Sequence, residues 1–486
     1  MSTTFSPTIA IIGGGFGGIT MAARLKMAGF HDFVVLEADS GPGGTWYSNT
    51  YPGSEVDVHS RIYSLPFKDY EWSRTHARRD ELYRYIEEAL DDFDIRRHFR
   101  FNTRVSAARW DEDAKSWHLS LDGGAVETYH VVVSAVGLLS DPKEIAWPGV
   151  DRFEGRLFHS QRWPADLDLR DKRVAVVGVG STAAQIVPAI APDVRQMYVY
   201  QREPGWILPK GDRTYDRADL VRLSSPLNRK IERLRLLAKS EWAHTYQPIY
   251  LTGSKRNKRG ERIALEYLNT MFGDRPDLKK ALTPTYAFSG KRRVLSDDYF
   301  PALKRDNVEL VPHSVSELTA TGIIDSTGEE RDVDVVVAAI GYKASTFLSS
   351  LDVTGRGGKR LREEWRDGAY AFVGMAVPDF PNFYMMYGPN TNGGAPITMM
   401  HDQQAHYVVA NVRRMARRGI RVIDVRRRAV RLYNRWLQGR MENTAWLEGN
   451  NYFKGPHGQI VTQWRDGLLL YGFLLRALRL PGSRAE

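Results

Sequence analysis

The sequence predicts an α/β fold: two Rossmann-like dinucleotide-binding domains with a helical insertion. Three observations carry this expectation. A strand–glycine turn–helix–strand unit opens the chain, the same unit returns near residue 172, and the stretch between about 211 and 289 is charged and helix-like, without strand alternation. At 486 residues the chain is also too long for one compact core.

In the first unit Ile9–Ile12 is an apolar strand, Gly13-Gly14-Gly15-Phe16-Gly17-Gly18 the turn, Thr20–Ala28 a helical segment and Phe33–Leu36 a second strand. Gly13 permits the tight turn, Gly15 lets backbone approach a pyrophosphate, and Gly18 allows close helix–strand packing. The helix N-terminus adds unpaired N–H groups and a partial positive charge. Glu37 ends the second strand, near the offset of roughly 20 residues expected for a carboxylate on ribose hydroxyls. The competing reading is a glycine turn used only for packing. A glycine-, proline- and aromatic-rich stretch, Gly41–Phe67, reads as an ordered loop lying over something. Beyond it, Glu81–Leu90 reads as helix and Val105–Trp110, Trp117–Leu121 and Tyr129–Ser134 as strands.

The second unit repeats the pattern. Arg173–Val177 is the strand, Gly178-Val179-Gly180-Ser181-Thr182-Ala183 the turn, Ala183–Ile190 the helix and Met197–Tyr200 the next strand. Alanine at the third glycine position is tolerated. Gln201-Arg202 stands where an acid would otherwise end the strand, and a cation there suits a 2′-phosphate, favouring NADPH over NADH. Its rival is a surface arginine at a strand end. Glu203 opposes that phosphate by on the order of 1 kcal/mol, which blunts the preference without reversing it. Two units imply two nucleotides, the pattern of NAD(P)H-dependent flavoproteins, with chain order assigning FAD to the first. The expected division is 1–145 and 342–486 for the FAD-binding domain, 146–211 and 290–341 for the NADP-binding domain, and 212–289 for the insertion. Val308–Val311 and Val333–Ile340 restore strand character, and Ile397–Met415 reads as a long helix.

Composition removes several function classes. With no cysteine there is no disulfide, thiolate metal site or thiol nucleophile, and the disulfide-reductase branch of two-nucleotide flavoproteins is excluded. The net charge is +10, but the basic residues are dispersed, with clusters at Arg222–Arg235, Lys255–Arg262 and Arg413–Arg431. They read as solvated helix faces, so no nucleic-acid partner is expected. No histidine spacing suggests a metal. No signal peptide or membrane-spanning run is visible, and a cytoplasmic location is expected. The apolar stretch Leu468–Leu480, with Arg476 and Arg479, is open to three readings: a packing helix, a homodimer contact or a membrane-surface helix. Packing is preferred.

Two longer motifs carry a resemblance. Phe153-Glu154-Gly155-Arg156-Leu157-Phe158-His159-Ser160-Gln161-Arg162-Trp163-Pro164 fits F-x-G-x-x-x-H-x-x-x-W-P/D, and Gly43-Gly44-Thr45-Trp46, Tyr51-Pro52-Gly53 and Asp57 fit G-G-x-W-x-x-x-x-Y-P-G-x-x-x-D. Both resemble the signatures of Baeyer–Villiger monooxygenases, relatives of the flavin-containing monooxygenases that carry tyrosine or phenylalanine where this chain has Trp163. The resemblance implies an NADPH- and O₂-dependent oxidation of a small-molecule ketone to an ester or lactone, through an oxygen adduct at flavin C4a. It also implies that Arg292 supplies a fixed cation, that Asp57 positions it, and that Lys291 joins Arg202 on the 2′-phosphate. Phe16, Gly44, Thr45 and Trp46 fall on the flavin side and Ser181 and Thr182 on the NADP side, with Trp46 and Trp163 read as packing residues and His159 as a hinge or inter-domain hydrogen-bonding residue, its rival reading being a catalytic base. The rivals are a heteroatom (S or N) monooxygenase, an NADPH–flavin electron-transfer reductase and a non-catalytic flavin-binding protein. The chain departs from the pattern at Glu203, where the family has threonine, and at Asn450-Asn451-Tyr452, where many members carry cysteine and Ser-Trp.

Overall fold

The computed structural model describes residues 5–486. Two five-stranded parallel sheets organise it. The first runs Phe383–Met385, Val131–Ser134, Ile9–Ile12, Phe33–Leu36, Phe99–Arg100. The second runs Arg156–His159, Val335–Ala338, Arg173–Val177, Gln196–Tyr200, Val308–Val311. The two strand orders are the same, so the duplication read from two glycine turns extends to whole sheets. One outer strand differs in origin: Phe383–Met385 returns from the C-terminal part, whereas Arg156–His159 precedes its unit. Ile9–Ile12, Val131–Ser134 and Val335–Ala338 are buried along their whole length, as strands covered on both faces must be, which is why they read as unbroken apolar runs.

Each sheet carries a three-stranded antiparallel meander at the corresponding place. In the first it is Val105–Asp111, Ser116–Leu121 and Val126–Tyr129; in the second, Val315–Leu318, Gly322–Asp325 and Glu330–Asp332. The expected single strand Tyr129–Ser134 is therefore two strands in two sheets. His130 marks the corner: its Nδ1 accepts from the Thr8 N–H at 3.1 Å and its carbonyl accepts from Asn382 Nδ2 at 2.9 Å. An apolar run shows that a segment is buried and does not show that it changes sheet.

The first-unit helix, Phe16–Met27, packs on the long helix Ile397–Arg418, which stops at Gly419 in the left-handed region (φ 64°). Between the second unit's strands lie four helices, Arg217–Leu223, Pro226–Thr245, Lys255–Phe272 and Pro276–Leu282. Proline opens two of them at the first helical position, and the Asp216 and Ser254 side chains accept the Asp219 and Asn257 N–H groups at the starts of the other two. The C-terminal stretch is a helix, Leu468–Leu478. It packs through Tyr471, Gly472 and Leu475, and the Tyr471 hydroxyl donates to the Val373 carbonyl at 3.0 Å. Its other face, with Leu469 and Phe473, is exposed. Among the described residues no helix is long and apolar enough to cross a membrane, and no three His, Cys, Asp or Glu side chains cluster as metal ligands would.

Candidate functional site

Both glycine turns stand at the carboxyl ends of their strands, where open parallel sheets place ligands. Gly15 and Gly180 start the two helices with almost the same backbone, φ −77° with ψ −170° and −176°. Neither start has a side-chain cap, and neither helix has an acid in its first turn. The first-turn N–H groups are thus left to an outside anion. Gly13 (φ +105°) and Gly178 (φ +130°) are held by matching contacts: an added Cβ would lie 2.6 Å from the Ala135 carbonyl oxygen and 2.3 Å from that of Ala339. At the third position, a Cβ on Gly18 would sit 2.0 Å from the Gly13 carbonyl oxygen, whereas the second unit accommodates Ala183 in its buried core.

Glu37 turns toward the first glycine turn. One carboxylate oxygen accepts from the Gly14 N–H at 2.5 Å and the other from the Asp39 N–H at 2.8 Å. Burial raises its pKa above the usual carboxylate value, and these backbone bonds oppose that shift without cancelling it.

The loop Gly41–Phe67 contains two short helical turns, Thr45–Ser48 and Ser60–Tyr63, and binds both nucleotide units. Its glycine pair seats on the first: the Gly43 N–H donates to the Gly14 carbonyl at 2.9 Å, and a Cβ on Gly44 (φ +53°) would lie 3.1 Å from Gly15 Cα. Its Tyr51-Pro52-Gly53 segment seats on the second unit's helix. The Tyr51 hydroxyl donates to Gln185 Oε1 at 2.9 Å, Gln185 Nε2 donates to the Glu55 carbonyl at 3.0 Å, and a Cβ on Gly53 (φ +79°) would meet the Gln185 carbonyl oxygen at 2.4 Å. Trp46 is buried and donates its indole N–H to the Tyr63 hydroxyl at 3.2 Å.

Between the two units lies one continuous cleft of about 1950 Å³. Ordinary small-ligand sites span roughly 300–1,000 Å³, so this space suits more than one nucleotide-sized ligand. The first and second glycine turns, Glu37, Thr45, Trp46, Thr182 and Arg202 line it. His401 also lines it, fully buried, with both ring nitrogens unpartnered, and burial pushes its pKa down to about 3. A neutral imidazole with two idle nitrogens, beside uncapped helix starts, fits a polar heterocyclic ligand such as the flavin nucleotide.

Asp57, between the two helical turns of the loop Gly41–Phe67, meets Arg292: Arg292 Nη2 donates to Asp57 Oδ2 at 2.5 Å. The Arg292 side chain keeps 45% of its surface accessible because it faces the cleft. Burial alone would raise the Asp57 carboxyl, but the Arg292 charge and hydrogen bond hold it below the usual range, and Asp57 in turn raises the guanidinium. Tyr387, Tyr452 and Tyr63 surround the pair, and burial raises all three phenols, leaving them protonated near neutral pH. Of these residues the sequence marks only Tyr452, as part of the departing Asn450-Asn451-Tyr452 stretch; Tyr63, Tyr387 and His401 carry no motif signal that ties them to Arg292. The neighbouring Arg293 points elsewhere, donating to Ser289 Oγ at 2.7 Å, and burial with two adjacent cations lowers it to about 10.

Lys291 and Arg202 both line the cleft, but their states differ from the expected joint anion site. Lys291 is ion-paired with Glu203, whereas Arg202 has no ion pair among the described residues. His159 bonds on both sides of its ring, at 3.2 Å to the Gly341 carbonyl and 3.2 Å from the Gln161 N–H, tying its strand end to the turn after Val335–Ala338. Trp163 packs edge-on against Phe158, with ring centroids 5.3 Å apart.

This geometry defines an α/β protein with two nucleotide-binding units and an arginine fixed at the cleft between them, and comparison with known proteins agrees. Residues 11–79 match the description NAD(P)-binding Rossmann-like domain, and residues 60–233 match Flavin-binding monooxygenase-like. Baeyer–Villiger monooxygenases of Pseudomonas aeruginosa and Streptomyces coelicolor are each 36% identical to the chain, which they align over 94% of its length and 87% and 88% of their own. A crystal structure of OTEMO complexed with FAD and NADP superposes with a TM-score of 0.89 at 27% identity, covering 99% of this chain and 100% of that one. The chain belongs to the Baeyer–Villiger monooxygenase family. It is an FAD-dependent, NADPH-using monooxygenase.

Proposed function

We propose that this enzyme oxidises a small-molecule ketone to an ester or lactone in the cleft between its two nucleotide units, with Arg292 as the fixed cation and Asp57 as its positioning partner. The observation that supports this most is the Arg292–Asp57 contact at 2.5 Å, in a cleft bounded by both glycine turns. The uncapped Gly15 helix start, with Phe16, would receive the FAD pyrophosphate, Gly13 and Gly18 shaping the turn and Glu37 facing the ribose. Gly44, Thr45 and Trp46 would close over that side. Gly178, Gly180, Ser181 and Thr182 would receive the NADP pyrophosphate, with Arg202 and Lys291 on its 2′-phosphate. When bound, these groups supply the reducing hydride and the activation of O₂.

The residues then have separable tasks. Arg292 stays charged at any working pH and presents a planar fork of donors to negative charge developing on the ketone oxygen. Asp57 fixes that fork through a charge-assisted bond. Protonated Tyr387 and Tyr452 stand beside the guanidinium, whose accessible part faces the cleft. A product assay tests the reading: the purified enzyme with NADPH, O₂ and a panel of cyclic ketones and thioethers, analysed by mass. Lactones as the main products support it. Sulfoxides alone, or hydrogen peroxide without an oxygenated product, overturn it.

A further inference from the structure

The helix Pro226–Thr245 has two unlike faces. Its inner face contributes Ser240 and His244 to the cleft wall. Its outer face presents Leu227, Ile231, Leu234, Ala238 and Trp242 at steps of three and four residues, forming one apolar stripe along the helix. Leu227 is 64%, Leu234 56% and Trp242 53% exposed. The apolar area continues onto a second helix. The Glu241 carboxylate accepts the N–H groups of Leu468 at 2.7 Å and Leu469 at 3.3 Å, docking the start of Leu468–Leu478 against the first helix, and there Leu469 and Phe473 are 73% and 62% exposed. A contiguous exposed apolar patch rimmed by polar residues marks contact with another phase or partner.

The charges around the stripe are sorted by sign. Lys230 on one side and Arg235 and Lys239 on the other are exposed, and none has a carboxylate within ion-pair distance among the described residues. The helix's two acids are both engaged: Glu232 pairs with Arg61 at 3.1 Å on another face, and Glu241, seven residues on from Leu234, is taken up by the N–H groups of the second helix. Arg476 adds an exposed cation one turn beyond Phe473, bonding only the neutral side chain of Gln403.

We propose that this face is a peripheral membrane-binding surface for anionic phospholipid, with helix Pro226–Thr245 lying in the plane of the bilayer interface. An apolar stripe flanked by unpaired cations matches such an interface, and Trp242 with Tyr246 just beyond the helix supplies the aromatic anchors that favour headgroup depth. A second copy of the chain fits less well: a two-fold contact through the stripe brings Lys230, Arg235 and Lys239 close to their own copies, and the one carboxylate on that side, Glu241, is already engaged by the second helix. The helix borders the cleft, so the surface would place the cleft wall against a phase in which apolar ketones concentrate. The lipid contact itself does not depend on the reaction assigned above.

Flavin-loaded enzyme is sedimented with phosphatidylglycerol-containing vesicles and with pure phosphatidylcholine vesicles, at low and high salt. Binding to the anionic vesicles only, weakened by salt, is expected. Lys230→Ala, Arg235→Ala and Lys239→Ala should each weaken it roughly fivefold. Leu234→Glu with Trp242→Glu should weaken it about tenfold or more, with flavin absorbance unchanged as evidence of folding. Failure to bind anionic vesicles overturns the proposal. So does a dimer in sedimentation velocity that Leu234→Glu dissociates, since the stripe would then be a self-contact.

Discussion

Lys291 and Glu203 are joined as an ion pair beside the second glycine turn, and the Lys291 ammonium lies 4.8 Å over the Tyr286 ring. One of the two cations proposed for the 2′-phosphate is therefore already engaged, and a phosphate must compete with Glu203 for it. Replacing Glu203 by threonine should raise the preference for NADP⁺ over NAD⁺ about fivefold, the equivalent of on the order of 1 kcal/mol at surface-like screening. Adding Lys291→Met should erase the gain. Equilibrium binding of each nucleotide reads both effects, and an unchanged ratio in Glu203→Thr would remove Glu203 from cofactor choice.

The Asp57–Arg292 pair has a defined acid response. The folded-state pKa of Asp57 is depressed, so its stabilising contribution is fully present above the unfolded value of about 3.9 and is lost as pH falls through the lower folded value. Urea unfolding of the wild-type enzyme and Asp57→Asn should differ by a constant amount from neutral pH down to about pH 4 and converge only below it. Convergence already above pH 5 or so would mean that Asp57 is not held by Arg292.

The third positions of the two glycine turns should respond oppositely. A Cβ on Gly18 would sit 2.0 Å from the Gly13 carbonyl oxygen, so Gly18→Ala should push the first helix off its strand and abolish FAD retention. Ala183 already occupies the corresponding place, and Ala183→Gly should cost only about 0.5–1 kcal/mol, the helix penalty of glycine. Thermal melts and flavin-to-protein ratios check both. A stable Gly18→Ala protein that retains a full complement of FAD would contradict the close packing.

What the sequence made legible was local. The glycine turns announce themselves because backbone must pass close to Ala135 and Ala339 with positive φ, and only glycine does so without strain. Glu37 follows from a fixed strand length. The Arg292–Asp57 pair spans 235 positions, and no spacing rule links two residues so far apart; the motif resemblance did. The outer strand Arg156–His159 is not legible in the sequence because a short edge strand with polar ends lacks the unbroken apolar run of its neighbours. Tyr387 and Tyr452 come from late loops whose approach to Arg292 is set by tertiary packing. The helix Pro226–Thr245 reads as charged and helical, but which of its faces meets the cleft depends on what it packs against.

The most direct measurement concerns the cleft cation. Arg292→Ala enzyme is loaded with FAD, its reduction by NADPH is followed in the absence of oxygen, and lactone formation from a cyclic ketone is then measured with O₂. The expected result is normal flavin binding and reduction with lactone formation slowed about 10²–10³-fold or more, the cost of losing one preorganised donor. Lactone formed at the wild-type rate would contradict the central claim that Arg292, fixed by Asp57, stabilises the charge developed in oxygen insertion.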